Sequence, residues 1–82
     1  MLKIYGSMLC KDCVECVRAL SDAKVEFEFL DFADNLLNLK EFLKIRDTHS
    51  IFDQPKVNGS IGIPTIMKED GSITLEWDEF IS

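Results

Sequence analysis

All three cysteines, Cys10, Cys13 and Cys16, fall within seven residues at the spacing C-x-x-C-x-x-C, and the 66 residues that follow contain none. A small fold stapled by disulfides spreads an even number of cysteines along the chain and closes long loops with them. This set closes nothing long and leaves one thiol over, so an apolar core must hold the fold. With 82 residues, that core belongs to a single domain, residues 1–82, because a second would leave neither half enough buried surface. A composition of 46% apolar and 29% charged residues suits such a core and is not that of a disordered chain. In a reducing compartment clustered thiols are more often catalytic or metal-binding than structural. The chemistry is therefore concentrated near the N-terminus.

Charge narrows the partners. Nine Lys/Arg against fifteen Asp/Glu give a formal net charge of −6. Nucleic acid is not expected as a partner, since phosphate binding needs a basic footprint, and neither is an anionic membrane surface. No apolar run approaches the ~20 residues of a membrane span. The start, Met1-Leu2-Lys3-Ile4-Tyr5-Gly6, lacks the apolar stretch and cleavage site of a secretory signal. The expected location is cytoplasmic.

Hydrophobic periodicity supplies the elements. Leu2 to Tyr5 reads as a short buried strand ended by Gly6-Ser7. Cys13, Val14, Val17, Leu20 and Val25 recur at helical spacing, predicting an amphipathic helix from about Asp12 to Ala23. Val25, Phe27 and Phe29 alternate with Glu26 and Glu28, which predicts a strand over Val25 to Phe32. Asp34-Asn35 offers an N-cap. Leu36, Leu39, Phe42 and Leu43 then form one apolar stripe opposite Lys40, Glu41 and Lys44, predicting a helix from about Asn35 to Asp47.

Thr48 to Gly62 is irregular, with Pro55 and Asn58-Gly59, and has room for a single helical turn near Ile51 to Gln54. Pro64 to Lys68 reads as a strand opened by proline, where a missing donor is tolerated. Glu69-Asp70-Gly71-Ser72 is a hairpin turn, and Ile73 to Glu76 the return strand. Trp77 to Ser82 is long enough for one terminal helical turn only. The order β-α-β-α-β-β predicts an α/β fold. Its first two strands are parallel across a right-handed crossover, and helices cover a four-stranded mixed sheet.

On that map Cys10 lies between the first strand and the first helix. The first-turn N–H groups there have no intrahelical partner, and the positive end of the macrodipole is close. A thiolate at such a point is stabilised, so the expected pKa lies below the free value of about 8.5. Cys13 follows one turn later, within reach of a small disulfide ring. Such a pair can attack a disulfide, form a mixed disulfide and resolve it internally. Lys11 adds a positive charge beside Cys10 and Asp12 opposes it. The competing account is a chance pair of buried thiols, since cysteine is a frequent core residue. The position of C-x-x-C in a β-α-β unit favours redox chemistry.

At this point the chain resembles the glutaredoxin branch of the thioredoxin fold, and more narrowly the small bacterial glutaredoxin-related proteins. Ile4-Tyr5 ahead of Cys10-Lys11-Asp12-Cys13, and Gly62-Ile63-Pro64-Thr65 ahead of the hairpin, carry the resemblance. The element order matches over essentially the whole chain, with the tail Trp77-Asp78-Glu79-Phe80 where that family begins its last helix, here truncated. The resemblance implies a cytoplasmic thiol–disulfide oxidoreductase serving electron transport and cell redox homeostasis. It makes Cys10 the nucleophile and Cys13 the resolving thiol. Pro64 becomes a cis-proline facing them, and the Ile63 backbone a pairing edge for an extended substrate or glutathione. Asp78 is implied as a ligand for glutathione's amino group; Lys11, the positive charge beside Cys10, is read as part of the substrate-binding set. No tightly bound cofactor is implied. The partner would be a disulfide-containing protein or a glutathione mixed disulfide, met by a monomer.

The sequence departs from that family at three places. Lys11 stands where proline is usual, Ser7 where lysine is frequent, and Leu75-Glu76 where a Gly-Gly pair lets glutathione approach the backbone. Glu76 is bulky and anionic like glutathione itself, so the thiol chemistry is better supported than the identity of the donor.

Cys16 lies a further turn along the helix. It is read either as a small core residue or as a third thiol. Cys10, Cys13 and Cys16 with His49 would make a Cys₃His set for zinc, or serve an iron–sulfur cluster. Three cysteines on one continuing helix converge poorly on a tetrahedral ion, and His49 reads as a solvated residue at a helix end. Trp77 and the six phenylalanines are expected in the core. Met8 and Leu9 are either a docking rim beside Cys10 or loop packing.

Overall fold

The computed structural model describes residues 1–53 and 61–81. The expected Gln54 end of a helical turn, Pro55 and Asn58-Gly59 lie outside the described residues. Six elements carry the fold: β1 (Leu2–Gly6), α1 (Lys11–Asp22), β2 (Phe27–Asp31), α2 (Leu36–Thr48), β3 (Thr65–Met67) and β4 (Ile73–Thr74). Short 3₁₀ turns follow α2 at Ser50–Phe52 and close the described chain at Trp77–Phe80. The strands form one mixed sheet in the order β2-β1-β3-β4. The β1–β2 pair is parallel, with Ile4 opposite Phe29, and β3 runs antiparallel to β1, with Tyr5 opposite Thr65. The hairpin of β3 and β4 sets Ile66 against Thr74. This is the α/β order read from the sequence, with four strands and two helices.

Strand alternation divides the core between the two faces of the sheet. Ile4 and Ile66 point to one face, where Cys16 and Leu20 of α1 meet them, along with Phe27, Phe29, Trp77 and Phe80. Tyr5 points to the other, where it joins Phe42 of α2 and Phe52. The Phe42 ring lies 5.1 Å from that of Phe32 and 5.8 Å from that of Phe52, the latter edge-on. The Tyr5 hydroxyl donates to Glu41 Oε2 at 3.2 Å, tying β1 to α2.

Element boundaries differ from the sequence reading where local capping intervenes. α1 stops at Asp22 because the chain turns through Lys24, which holds a left-handed φ of 60°. The Lys24 N–H donates to the Ser21 carbonyl and the Val25 N–H to the Leu20 carbonyl, the paired bonds of a Schellman cap. Val25 is thereby spent on the cap and packs against the Leu20 cluster, so β2 begins at Phe27. At α2, Asn35 is the cap, its Oδ1 accepting from the Leu37 N–H at 2.9 Å. Pro64 precedes β3 rather than opening it, and β4 ends at Thr74. There Thr74 Oγ1 accepts the Glu76 N–H at 3.0 Å and turns the chain off the sheet.

The predicted stripe of α2 is corrected. Phe42 is fully buried and Leu39 and Ile45 pack beside it, whereas Leu36 and Leu43 are exposed. A helix turns only one stripe to a sheet. Phe42, seated among Tyr5, Phe32 and Phe52, decides which stripe that is. Leu36 and Leu43 lie roughly 100° or more around the axis from it. Among the described residues, no helix is long and apolar enough to cross a membrane.

Candidate functional site: a thiol pair at the start of the first helix

The site follows from how β1 hands over to α1. After Gly6 the chain makes a tight turn, in which the Cys10 N–H donates to the Ser7 carbonyl at 3.0 Å and the Leu9 N–H to Ser7 Oγ at 3.2 Å. Cys10 is the N-cap of α1, with extended backbone (φ −93°, ψ 124°), and its carbonyl accepts the first helical bond from Val14 at 3.1 Å. Its side chain makes no capping hydrogen bond and is half-buried. Cys10 therefore stands at the positive end of the helix and is not fully buried. Lys11 and Asp12, the first two residues of α1, are both exposed.

Cys13 is one turn along and has no exposed surface. The Cys10 thiol and the Ser7 backbone both act on it electrostatically. Burial, with smaller contributions from both neighbouring thiols, pushes the Cys13 pKa up to about 12 against the pull of the Ser7 amide. Cys16 is equally buried, and desolvation alone pushes it up to about 11. The three thiols thus differ in kind: Cys10 is partly exposed, Cys13 is fully buried one turn along, and Cys16 is a core residue packed with Ile4, Leu20 and Ile66.

The second motif lies at the same end of the sheet. Because Tyr5 pairs with Thr65 across antiparallel strands, the Ser7–Cys10 turn and the Ile61–Pro64 segment leave neighbouring strands side by side. The Ile63–Pro64 peptide is cis. Pro64 is buried and Ile63 half-buried, packed toward the Tyr5–Phe42–Phe52 cluster. Gly62 holds a φ of 92°, and Thr65 Oγ1 donates to its carbonyl at 2.6 Å. Met8, Leu9 and Ile61 are exposed around this end.

Asp78 is exposed in the 3₁₀ turn that seats Trp77 and Phe80 beside α1. That turn is fastened by Lys68, whose Nζ lies 3.0 Å from Glu79 Oε1 and 5.7 Å from the Phe80 ring centre. His49 is exposed, its Nδ1 accepting from the Ile51 N–H. Among the described residues, no group of three or more His, Cys, Asp or Glu side chains is disposed to hold a metal ion. Cys10, Cys13, Cys16 and His49 do not form such a group.

Sequence reasoning passed over Gly6 and Ser7, read only as a strand end and as a departure from a family pattern. Both touch the thiol pair. A glycine closing a buried strand just before the cysteines was the available signal, since such a glycine marks a close approach by another group.

A protein of Haemophilus influenzae, described only as an uncharacterized protein, is 33% identical over 73 residues, covering 89% of this chain and 85% of that protein. The chain belongs to the same family as this Haemophilus influenzae protein. A 73-residue span leaves nine residues of the chain over, so the similarity to this family takes in Cys10 through Pro64. No family model matches the chain, and no solved structure does.

Proposed function

We propose that this protein is a thiol–disulfide oxidoreductase with a thioredoxin-type fold of the glutaredoxin kind. In the reaction the Cys10 thiolate attacks one sulfur of a substrate disulfide. The S–S bond breaks, the other sulfur leaves as a thiol, and Cys10 holds the substrate as a mixed disulfide. Cys13, losing its proton, then attacks Cys10 Sγ and expels the second substrate thiol. The substrate has gained two electrons and two protons, and the protein carries a Cys10–Cys13 disulfide. A small thiol such as glutathione, or a dithiol protein, returns the pair to the reduced state.

The single observation that carries this reading is the unequal pair: a partly exposed Cys10 at the start of α1, one turn from a fully buried Cys13. Burial keeps Cys13 protonated and unreactive toward solvent until Cys10 has been engaged. Ile63 and Pro64, at the same sheet end, would meet an extended substrate segment, with Lys11 at the helix start. The exposed Met8, Leu9 and Ile61 suit a protein disulfide better than glutathione alone. The proposed setting is the cytoplasm, with the protein acting as a monomer.

The test is equilibration in glutathione buffers of graded oxidation, followed by acid trapping and mass analysis. A reversible Cys10–Cys13 disulfide is expected, absent in Cys10→Ser. A chain that forms no such disulfide at any ratio would overturn the reading.

A further inference from the structure

Gly6 ends β1, is buried, and is not one of the positive-φ glycines, so its backbone does not require glycine. The need is steric. A Cβ built on Gly6 would lie 2.6 Å from Cys13 Sγ, far inside contact distance. The other near atoms, Phe29 Cε1 at 3.5 Å and Cys13 Cβ at 3.6 Å, are at ordinary contact. The sulfur alone thus occupies the space where a side chain at position 6 would begin. The same sulfur interacts electrostatically with the Ser7 backbone and with the Cys10 thiol. Three neighbours, two of them adjacent in β1 and its turn, therefore define its place.

We propose that Gly6 is the positioning residue for Cys13: its missing side chain is the seat that holds the resolving sulfur against Cys10. A helical cysteine has only two open χ1 wells, because the third drives the side chain into the preceding turn. A methyl at position 6 therefore swings the sulfur out of the seat and away from Cys10. Ring closure to the disulfide becomes harder, and a mixed disulfide on Cys10 persists longer. The redox consequence rests on the oxidoreductase reading; the seat itself does not.

Two measurements separate them. The first is a double-mutant cycle of Gly6→Ala and Cys13→Ala on the reduced chain, followed by denaturant unfolding. Gly6→Ala is expected to lower the unfolding midpoint in the parent and leave it nearly unchanged in the Cys13→Ala background, where only ordinary contacts remain. Should Gly6→Ala fail to fold, recovery of folding in the double variant supports the seat, and its failure there overturns it. An equal loss in both backgrounds also overturns it. The second is the Cys10–Cys13 equilibrium in glutathione buffer, expected to move at least about tenfold away from the disulfide in Gly6→Ala. A folded Gly6→Ala variant whose equilibrium stays within about twofold of the parent overturns the positioning role. If the parent itself forms no Cys10–Cys13 disulfide, the functional reading fails and the stability cycle alone decides the seat.

Discussion

Cys10 and Cys13 stand one turn apart at the start of α1, yet Cys10 is half-buried and Cys13 has no exposed surface. Reactivity must therefore be split within the pair. Under native conditions an alkylating reagent should modify one cysteine per chain, Cys10, at least about 100-fold faster than Cys13 or Cys16, whose labelling waits on local opening. Timed quenching and peptide mass analysis would show this. Equal rates at Cys10 and Cys13 would contradict the arrangement.

The same split separates attack from resolution. A Cys13→Ser variant should still form a mixed disulfide with a disulfide-containing peptide but accumulate it, because no second thiol expels the leaving group. Cys10→Ser should form none. Non-reducing mass analysis of both variants checks the assignment. Accumulation on Cys13 in the Cys10→Ser variant would reverse the roles.

Buried protonated groups make the fold sensitive to alkali. Burial raises Cys13 to about 12 and Cys16 to about 11, and burial with Glu41 raises Tyr5 to about 12. In the unfolded chain thiols ionise near about 8.5 and tyrosine near about 10. Above those values the unfolded state has released protons that the folded state still holds, so stability falls with rising pH. It should be full below about pH 8.5 and decline progressively toward about pH 12. Denaturant midpoints across that range would follow the decline, which should be shallower in Cys16→Ala. A flat profile would contradict these assignments.

Packing on α2 gives a contrast between two apolar residues of one helix. Phe42→Ala empties the centre of the Tyr5–Phe32–Phe52 cluster and should cost about 3–5 kcal/mol. Leu36→Ala, on an exposed position, should change stability by no more than about 0.5 kcal/mol. Urea unfolding of the two variants measures both.

Lys24 holds its left-handed conformation without being glycine. An L side chain pays about 1–2 kcal/mol there, partly offset because glycine has more freedom to lose from the unfolded chain. Lys24→Gly should therefore stabilise the fold by roughly 0.5–1 kcal/mol. A loss of stability would mean that the Lys24 side chain makes a compensating contact.

Much of the architecture was legible in the order of residues. The alternation of Phe27 and Phe29 with Glu26 and Glu28 announced β2, and Cys13 and Leu20 announced the inner face of α1. Asn35 was visible as a cap and Asp70-Gly71 as a turn, while the cis form of Pro64 was implied only by the family resemblance. These signals are local: each depends on spacing within one or two turns, or on the chemistry of a single residue. The stripe on α2 misled for the opposite reason. Several leucines offered competing faces, and nothing within α2 says which one meets a sheet whose aromatic residues come from elsewhere.

The chain by itself determined the element order, the even-handed alternation that makes β1 two-faced, and the placing of a thiol pair where β1 passes into α1. Only the tertiary structure decided that Phe42 rather than Leu36 turns inward, that Cys16 is core, and that Cys13 rests on the bare Cα of Gly6. Periodicity and capping are properties of neighbouring residues. Which atoms meet when two elements pack, and so which space a missing side chain leaves open, depends on distances that no short stretch of sequence contains.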